Sequence, residues 1–301
     1  MVFDIEETLL AGDLPDDVLP HMIWREVIAG TQKRRVFLEG VEVTTMLRGQ
    51  VGTKISVPAL STRFSATTIS ESNLDSAGYT VSDPTITDTD ISIGNQVYVA
   101  FRLSDILKED QPKYNWLRIS LRDTGRAIEE YRDAAIRDVF LAGAGNTHAA
   151  ATYGTLAYDD VIDVLALMKI DSWFPEDARP FLFVHPNQEA DVLKDTRYVM
   201  SHRYAIGDLP DLAPADDVGG RQGMYAGTRV RVTDNMINAV ALVVFPPNHP
   251  QYGPNTIHAM KRPMTVRTQR EEIYGRQLWI ASMRYGTAVI QSNAVGLITA
   301  C

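Results

Sequence analysis

Apolar and polar positions alternate clearly between residues 97 and 103. Val97, Val99, Phe101 and Leu103 stand against Tyr98, Ala100 and Arg102, the period of two that marks a half-buried strand. A shorter alternation at 53–59 places Ile55 and Val57 opposite Lys54 and Ser56, and Pro58 confines that strand to a sheet edge or to its own end. Between these two signals, Ser, Thr and Asp fill 17 of the 30 positions from 61 to 90. A stretch of that composition cannot supply a core of its own. Bracketed by strands, it predicts a long polar hairpin projecting from the body. The period then changes. Leu117, Leu121, Thr124, Ile128, Tyr131, Ala135 and Val139 recur at spacings of four and three, which predicts one amphipathic helix over about 112–142. Pro112 suits its first turn, and Gly143-Ala-Gly145-Asn146 ends it. Thirty residues at 1.5 Å each reach roughly 45 Å, long for a compact domain and suited to a strut.

The next segment reads as a compact α/β unit. Asp159 and Asp160 cap a helix whose Val161, Val164, Leu165 and Met168 share one face. Phe181–Val184 is a short buried strand, and Pro186 starts a further helix through Val192 and Leu193. Residues 199–226 are loop-like. Strands resume at 228–233 and 239–245, a turn follows over 248–255, and extended stretches at 257–266, 276–284 and 287–299 close the chain. No internal repeat is visible, and the first 48 residues show no clear period.

Composition narrows the function. At 301 residues the chain exceeds what one core usually serves. An apolar content of 45% is that of a folded globular protein. No apolar run approaches the roughly 18 residues of a membrane span, and the opening MVFDIEETLL lacks the basic region of a signal peptide. The one cysteine, Cys301, rules out an intrachain disulfide, and cytoplasmic folding is the simple expectation. The net charge of -9 argues against a protein that wraps nucleic acid through phosphate contacts.

Candidate chemistry is thin. The six histidines show neither His-x-x-x-His nor Cys-x-x-Cys spacing, so no metal and no cofactor is expected. His185, before Pro186 at a strand end, is the one histidine placed like an active-site residue. Asp83, Asp88 and Asp90 lack the glycine and terminal glutamate of a calcium loop, and a solvated acidic hairpin is the better reading. Arg118, Arg122 and Arg126 lie four apart and form a basic stripe beside the apolar one. Pairing with Glu129, Glu130, Asp133 or another subunit is favoured there over contact with nucleic acid.

The order of elements carries a resemblance. It runs through Gly52-Thr-Lys-Ile-Ser-Val-Pro58, the polar hairpin, Leu103-Ser104-Asp105, and a helix bearing Gly125-Arg-Ala-Ile-Glu-Glu and Asp133. Phe181-Leu-Phe-Val-His-Pro186, Gly227-Thr-Arg-Val-Arg-Val-Thr-Asp234 and Arg284-Tyr-Gly-Thr-Ala-Val289 follow. Over about residues 30–300 this series resembles the major capsid proteins of tailed phages and related viruses, with the Hong Kong 97-type shell fold.

That resemblance implies an α+β fold in five parts: an N-terminal arm (1–48), an extended β-hairpin loop with flanking strands (49–103), a peripheral domain on a long spine helix (104–157), an axial α/β domain (158–256) and returning strands (257–301). Leu117, Leu121, Ile128, Tyr131 and Val139 then pack the spine, and Arg118, Arg122 and Arg126 supply intersubunit or inward-facing charge. The implied function is structural, not enzymatic. Copies assemble into hexamers and pentamers of an icosahedral shell around double-stranded DNA, with portal, scaffold and cement proteins as partners. The site of action is the virion, and assembly takes place in the host cytoplasm. The family's type member crosslinks a loop lysine to another subunit, but Lys54 is the only lysine between residues 34 and 107, so no such link is expected. About 50 residues precede the loop, too few for a fused scaffolding segment, which makes a separate scaffold or self-assembly the expectation. Two alternatives stand beside this: an encapsulin-like compartment shell of the same fold, and a two-domain enzyme using loop 199–226 as a lid over His185.

Overall fold

The computed structural model describes residues 36–49, 51–60, 86–94, 96–105, 116–170, 179–195, 224–249 and 253–301. Most of the N-terminal arm, the hairpin tip including Asp83, Pro112 and nearly all of loop 199–226 lie outside the described residues.

Two sheets and one long helix organise the molecule. The elements in chain order are a 3-10 turn (Phe37–Gly40), β1 (Glu42–Thr44), β2 (Lys54–Leu60), β3 (Ile86–Ser92), β4 (Val97–Ser104), α1 (Trp116–Gly143), β5 (Asn146–Ala149), α2 (Tyr158–Ile170), β6 (Phe181–Val184), α3 (Pro186–Lys194), β7 (Met224–Tyr225), β8 (Thr228–Val232), β9 (Val240–Val244), β10 (Asn248–His249), β11 (Gly253–Pro254), β12 (Thr256–Glu271), β13 (Arg276–Val289) and β14 (Val295–Thr299). A four-stranded sheet runs β1-β12-β13-β4, and a six-stranded sheet runs β5-β14-β9-β6-β8-β7. The six-stranded sheet thus takes β5 and β14 from outside residues 158–256.

The six-stranded sheet is buried on both faces, and its centre shows why. Phe181 and Phe183 point to one side, with Phe37, Ile136, Phe140, Leu242 and Val244. Leu182 and Val184 point to the other, with Val161, Val164, Met168, Val230 and Val243. An uninterrupted apolar strand is what a doubly covered sheet requires. The four-stranded sheet is an antiparallel ribbon, β12 against β13, flanked by β4 antiparallel and β1 parallel. Its β4 residues Val97, Val99 and Phe101 turn their predicted apolar face toward α1 and pack with Leu121, Ile128, Trp279, Ala281 and Met283.

Helix α1 spans 28 residues, about 42 Å, and bridges the two sheets. Leu117, Leu121 and Ile128 sit on the four-stranded sheet, while Ile136 and Phe140 enter the core of the six-stranded one. The predicted apolar stripe holds through Ile128 and then shifts. Tyr131 is 61% exposed, so it does not pack the spine, and Val139 is only half-buried. The buried path runs instead through Arg132, Ile136 and Phe140. Three successive steps of four residues rotate the contact face away from Tyr131, and the polar residues Glu129, Arg132 and Asp133 occupy places that a hydrophobic count leaves to solvent.

The hairpin also departs from its prediction. The partner of Lys54–Leu60 is Ile86–Ser92, in a seven-pair antiparallel ladder from Lys54↔Ser92 to Leu60↔Ile86. Val97–Ser104 is not the return strand; it pairs with β13. The polar segment TDTDIS forms a strand by pairing along β2, with Ile91, and Ile93 beyond it, buried against Ile257 and Ala259 alongside Ile55 and Val57.

Candidate assembly surfaces

The base of the hairpin is built by close approach of backbones. At Gly286 of β13 an added Cβ would lie 2.3 Å from the Ser92 carbonyl oxygen, so only glycine lets β3 lie this near the sheet. Lys261 Nζ donates to the Gly52 carbonyl, and Arg284 donates to the Gly94 carbonyl at 3.4 Å. Both seat the loop ends on the ribbon. Along the hairpin, Lys54 and Asp90 form an ion pair at 2.5 Å with both side chains well exposed. That hydrogen bond holds the Asp90 carboxyl below its usual value. Asp88 stands exposed on the same strand. Among the described residues, no group of three or more His, Cys, Asp or Glu is arranged to hold a metal ion.

Among the described residues, the hairpin base packs on one end of the sheet face opposite α1. Beyond it, Tyr98 is 66% exposed, and Leu278 and Ile280 are half-buried, with Arg102 and Arg267 exposed beside them. The ribbon ends in a turn at Glu272–Tyr274 closed by Gly275 in the left-handed region (φ 53°). At this tip Ile273 is 92% exposed, yet the turn is braced. Arg270 pairs with Asp105 at 3.0 Å and Glu272 at 3.2 Å. Arg276 pairs with Glu271, lowering the Glu271 carboxyl's proton affinity, and lies 4.4 Å over the Tyr274 ring. The sequence signal for this tip was the Tyr-Gly turn after an isolated isoleucine. A reading centred on the long hairpin passed over it.

The basic stripe lies on the exposed side of α1. Arg118, Arg122 and Arg126 all face outward. Arg126 pairs within the helix, with Asp123 at 3.4 Å and Glu130 at 3.6 Å. Glu129 and Asp133, named as partners on spacing alone, point the other way. Glu129 meets Arg132 at 3.2 Å, with both side chains at most 4% exposed. Asp133 accepts from the Phe37 backbone N–H at 2.9 Å and from Asn235 Nδ2 at 3.2 Å. Burial pushes the Asp133 carboxyl up to about 6. Behind Arg132, burial holds His258 down to about 3, while its Nδ1 lies 2.7 Å from the Thr287 hydroxyl.

His185 has a structural occupation. Its Nδ1 accepts from the Asn187 N–H at 3.2 Å, and its own N–H donates to Gln188 Oε1 at 3.0 Å, a reciprocal cap at the start of α3. Cys301 is buried in the core beside α2 and α3, with Gln188 Nε2 donating to its Sγ at 2.8 Å. Burial pushes its thiol up to about 11. No described helix is long and apolar enough to cross a membrane.

Comparison with known proteins bears on these surfaces. A family model described as phage capsid protein matches residues 99–300. No curated protein matches the chain. Among solved structures the chain is similar to one from Mycobacterium phage Che8, at 16% identity and a TM-score of 0.63, covering 88% of this chain and 91% of that one. It is similar to the capsid of cyanophage P-SCSP1u at 13% identity and a TM-score of 0.65, covering 98% and 93%. It is also similar to the holo-SrpI encapsulin complex from Synechococcus elongatus, at 12% identity and 0.62, covering 90% and 88%. The fold is the α+β capsid fold of the Hong Kong 97 type.

Proposed function

Because the chain belongs to the phage capsid protein family, and is thus a structural, shell-forming protein, we propose that its copies close into hexamers and pentamers of an icosahedral shell that encloses double-stranded DNA. The observation that carries this reading is the half-covered four-stranded sheet. Among the described residues, its own hairpin base seals one end of a face, and beyond it Tyr98 is exposed and Ile280 half-buried, with exposed arginines alongside. An extended loop from a neighbouring subunit completes that face in this reading. Contacts of that kind run head to tail and close by rotation into rings.

Arg118, Arg122 and Arg126 serve at subunit contacts or toward the interior. A net charge of -9 favours confinement of DNA over tight coating of it. Portal, scaffold and cement proteins are the further partners, and the mature protein resides in the virion after assembly in the host cytoplasm. An encapsulin-like compartment is the second reading, favoured by the similarity to the encapsulin complex. Electron micrographs of particles made by the full chain, together with a nuclease-protection assay on particles from infected cells, test the choice. Closed shells holding protected DNA are expected. Shells filled with protein and free of DNA overturn the DNA reading in favour of a compartment, and a small soluble oligomer overturns both.

A further inference from the structure

Three parts of the chain meet at one buried carboxylate. Asp133 of α1 accepts from the Phe37 N–H on the segment that follows the N-terminal arm, and from Asn235 in the turn after β8. The same junction is braced twice more. Arg231 of β8 pairs with Glu39 at 2.6 Å, and Arg137 of α1 donates to the Asn235 carbonyl. Phe37 is fully buried among Phe183, Phe140 and Ile136. Gly40 is tucked in so closely that an added Cβ would lie 3.2 Å from the Phe140 ring. The junction therefore ties the foot of the arm and an edge of the six-stranded sheet to the strut helix, and one acidic side chain stands at its centre.

We propose that this junction is a proton-operated latch: proton uptake by Asp133 removes a buried charge and so favours the packed state of segment 36–41, the Asn235 turn and the helix, and proton release opposes that packing. Each of the two N–H hydrogen bonds by itself favours the ionised carboxylate, but burial outweighs them. The geometry makes the ionised form costly. Asp133 is 2% exposed, and its two hydrogen bonds come from neutral donors rather than from a cation. The charges around it balance poorly. On its own helix Arg132 draws the proton affinity down, while Glu129 pushes it up, and these two are engaged with each other. Glu39 on the arm is taken by Arg231, and Arg137 by Asp138 and the Asn235 carbonyl. Asp234, beside Asn235, is exposed. On the four-stranded sheet behind Arg132, His258 stays neutral until about pH 3 and does not titrate in the same window.

With the folded carboxyl raised from 3.8 to about 6, the stabilising contribution is full below about pH 4 and is lost as the pH rises through 6. Between those limits the folded-to-unfolded ratio changes on the order of a hundredfold. The inference goes beyond the shell reading and does not depend on it.

The test is urea unfolding of the full chain, kept as dissociated subunits, from pH 4 to 8, for the natural protein and for Asp133→Asn. The natural protein is expected to lose about a hundredfold in that ratio relative to the variant across the window. Parallel pH curves, with the variant merely weaker throughout, overturn the latch and leave Asp133 a structural hydrogen-bond acceptor. Should the variant fail to fold, a carbon-13 titration of the Asp133 carboxyl in the natural protein decides. A midpoint near 6 supports the latch, and a midpoint near 4 overturns it.

Discussion

The two sheets of this subunit differ in how much of themselves they bury. The six-stranded sheet has a core on each face, one against α2 and α3, the other against the end of α1 and the Phe37 segment. Among the described residues, the four-stranded sheet has α1 on one face and a hairpin base on part of the other. A doubly covered sheet is complete within one chain. A singly covered one leaves apolar surface and backbone edges for another molecule. In the assembly proposed above, that asymmetry would assign stability to one region and association to the other.

The largest effect separating the two regions is expected at Phe183. It is fully buried and touches Phe37, Phe140 and Phe181. Phe183→Ala should cost about 3–5 kcal/mol, read as a lowered urea midpoint of the dissociated subunit. A loss comparable to that of an exposed residue would mean that the six-stranded sheet is not the stabilising region. Next comes Gly286→Ala, where the new Cβ drives against the Ser92 carbonyl. A loss of about 1–3 kcal/mol is expected from overpacking, with faster proteolytic cleavage in the hairpin than in the six-stranded sheet. Equal protection of both regions would show that the hairpin base is not seated as described.

Ile273→Ser at the ribbon tip is expected to leave subunit stability within about 0.5 kcal/mol while raising the protein concentration needed to form particles, as followed by light scattering. A fall in the unfolding midpoint with unchanged assembly would reverse the roles of the two regions. The smallest effect is expected at Lys54→Ala. Its ion pair with Asp90 is exposed on both sides, and such pairs contribute little. The unfolding midpoint should not move measurably, and denaturing gels of mature particles should show the same single-subunit band for both proteins. Covalent oligomers in the natural protein that vanish in the variant would make Lys54 a crosslinking residue.

Much of this division was readable in the chain. Phe181-Leu-Phe-Val184 has no polar position, and it proved to be the doubly covered strand. Val97-Tyr-Val-Ala-Phe-Arg-Leu103 alternates, and it proved to be covered on one face. Periodicity reports local environment, so it succeeds wherever one element faces one partner. It failed where an element changes partners. Along α1 the stripe was extrapolated through Tyr131, but the helix leaves one sheet for the other near that point, and the contact face turns with it. The return strand of the hairpin is not legible because Asp88 and Asp90 are exposed and Ile91 is the one apolar residue of TDTDIS, so the segment has no alternating pattern.

By itself the sequence determined most element types, the long strut and the order of parts that identifies the family, since periodicity and turn residues act over a few neighbours. Tertiary structure alone decided which strands pair, that Glu129, Arg132 and Asp133 turn inward, and that Phe37, Asp133 and Asn235 meet. A buried charge is legible only through its partner. Here the partners lie 96 and 102 residues away, beyond the reach of any local pattern.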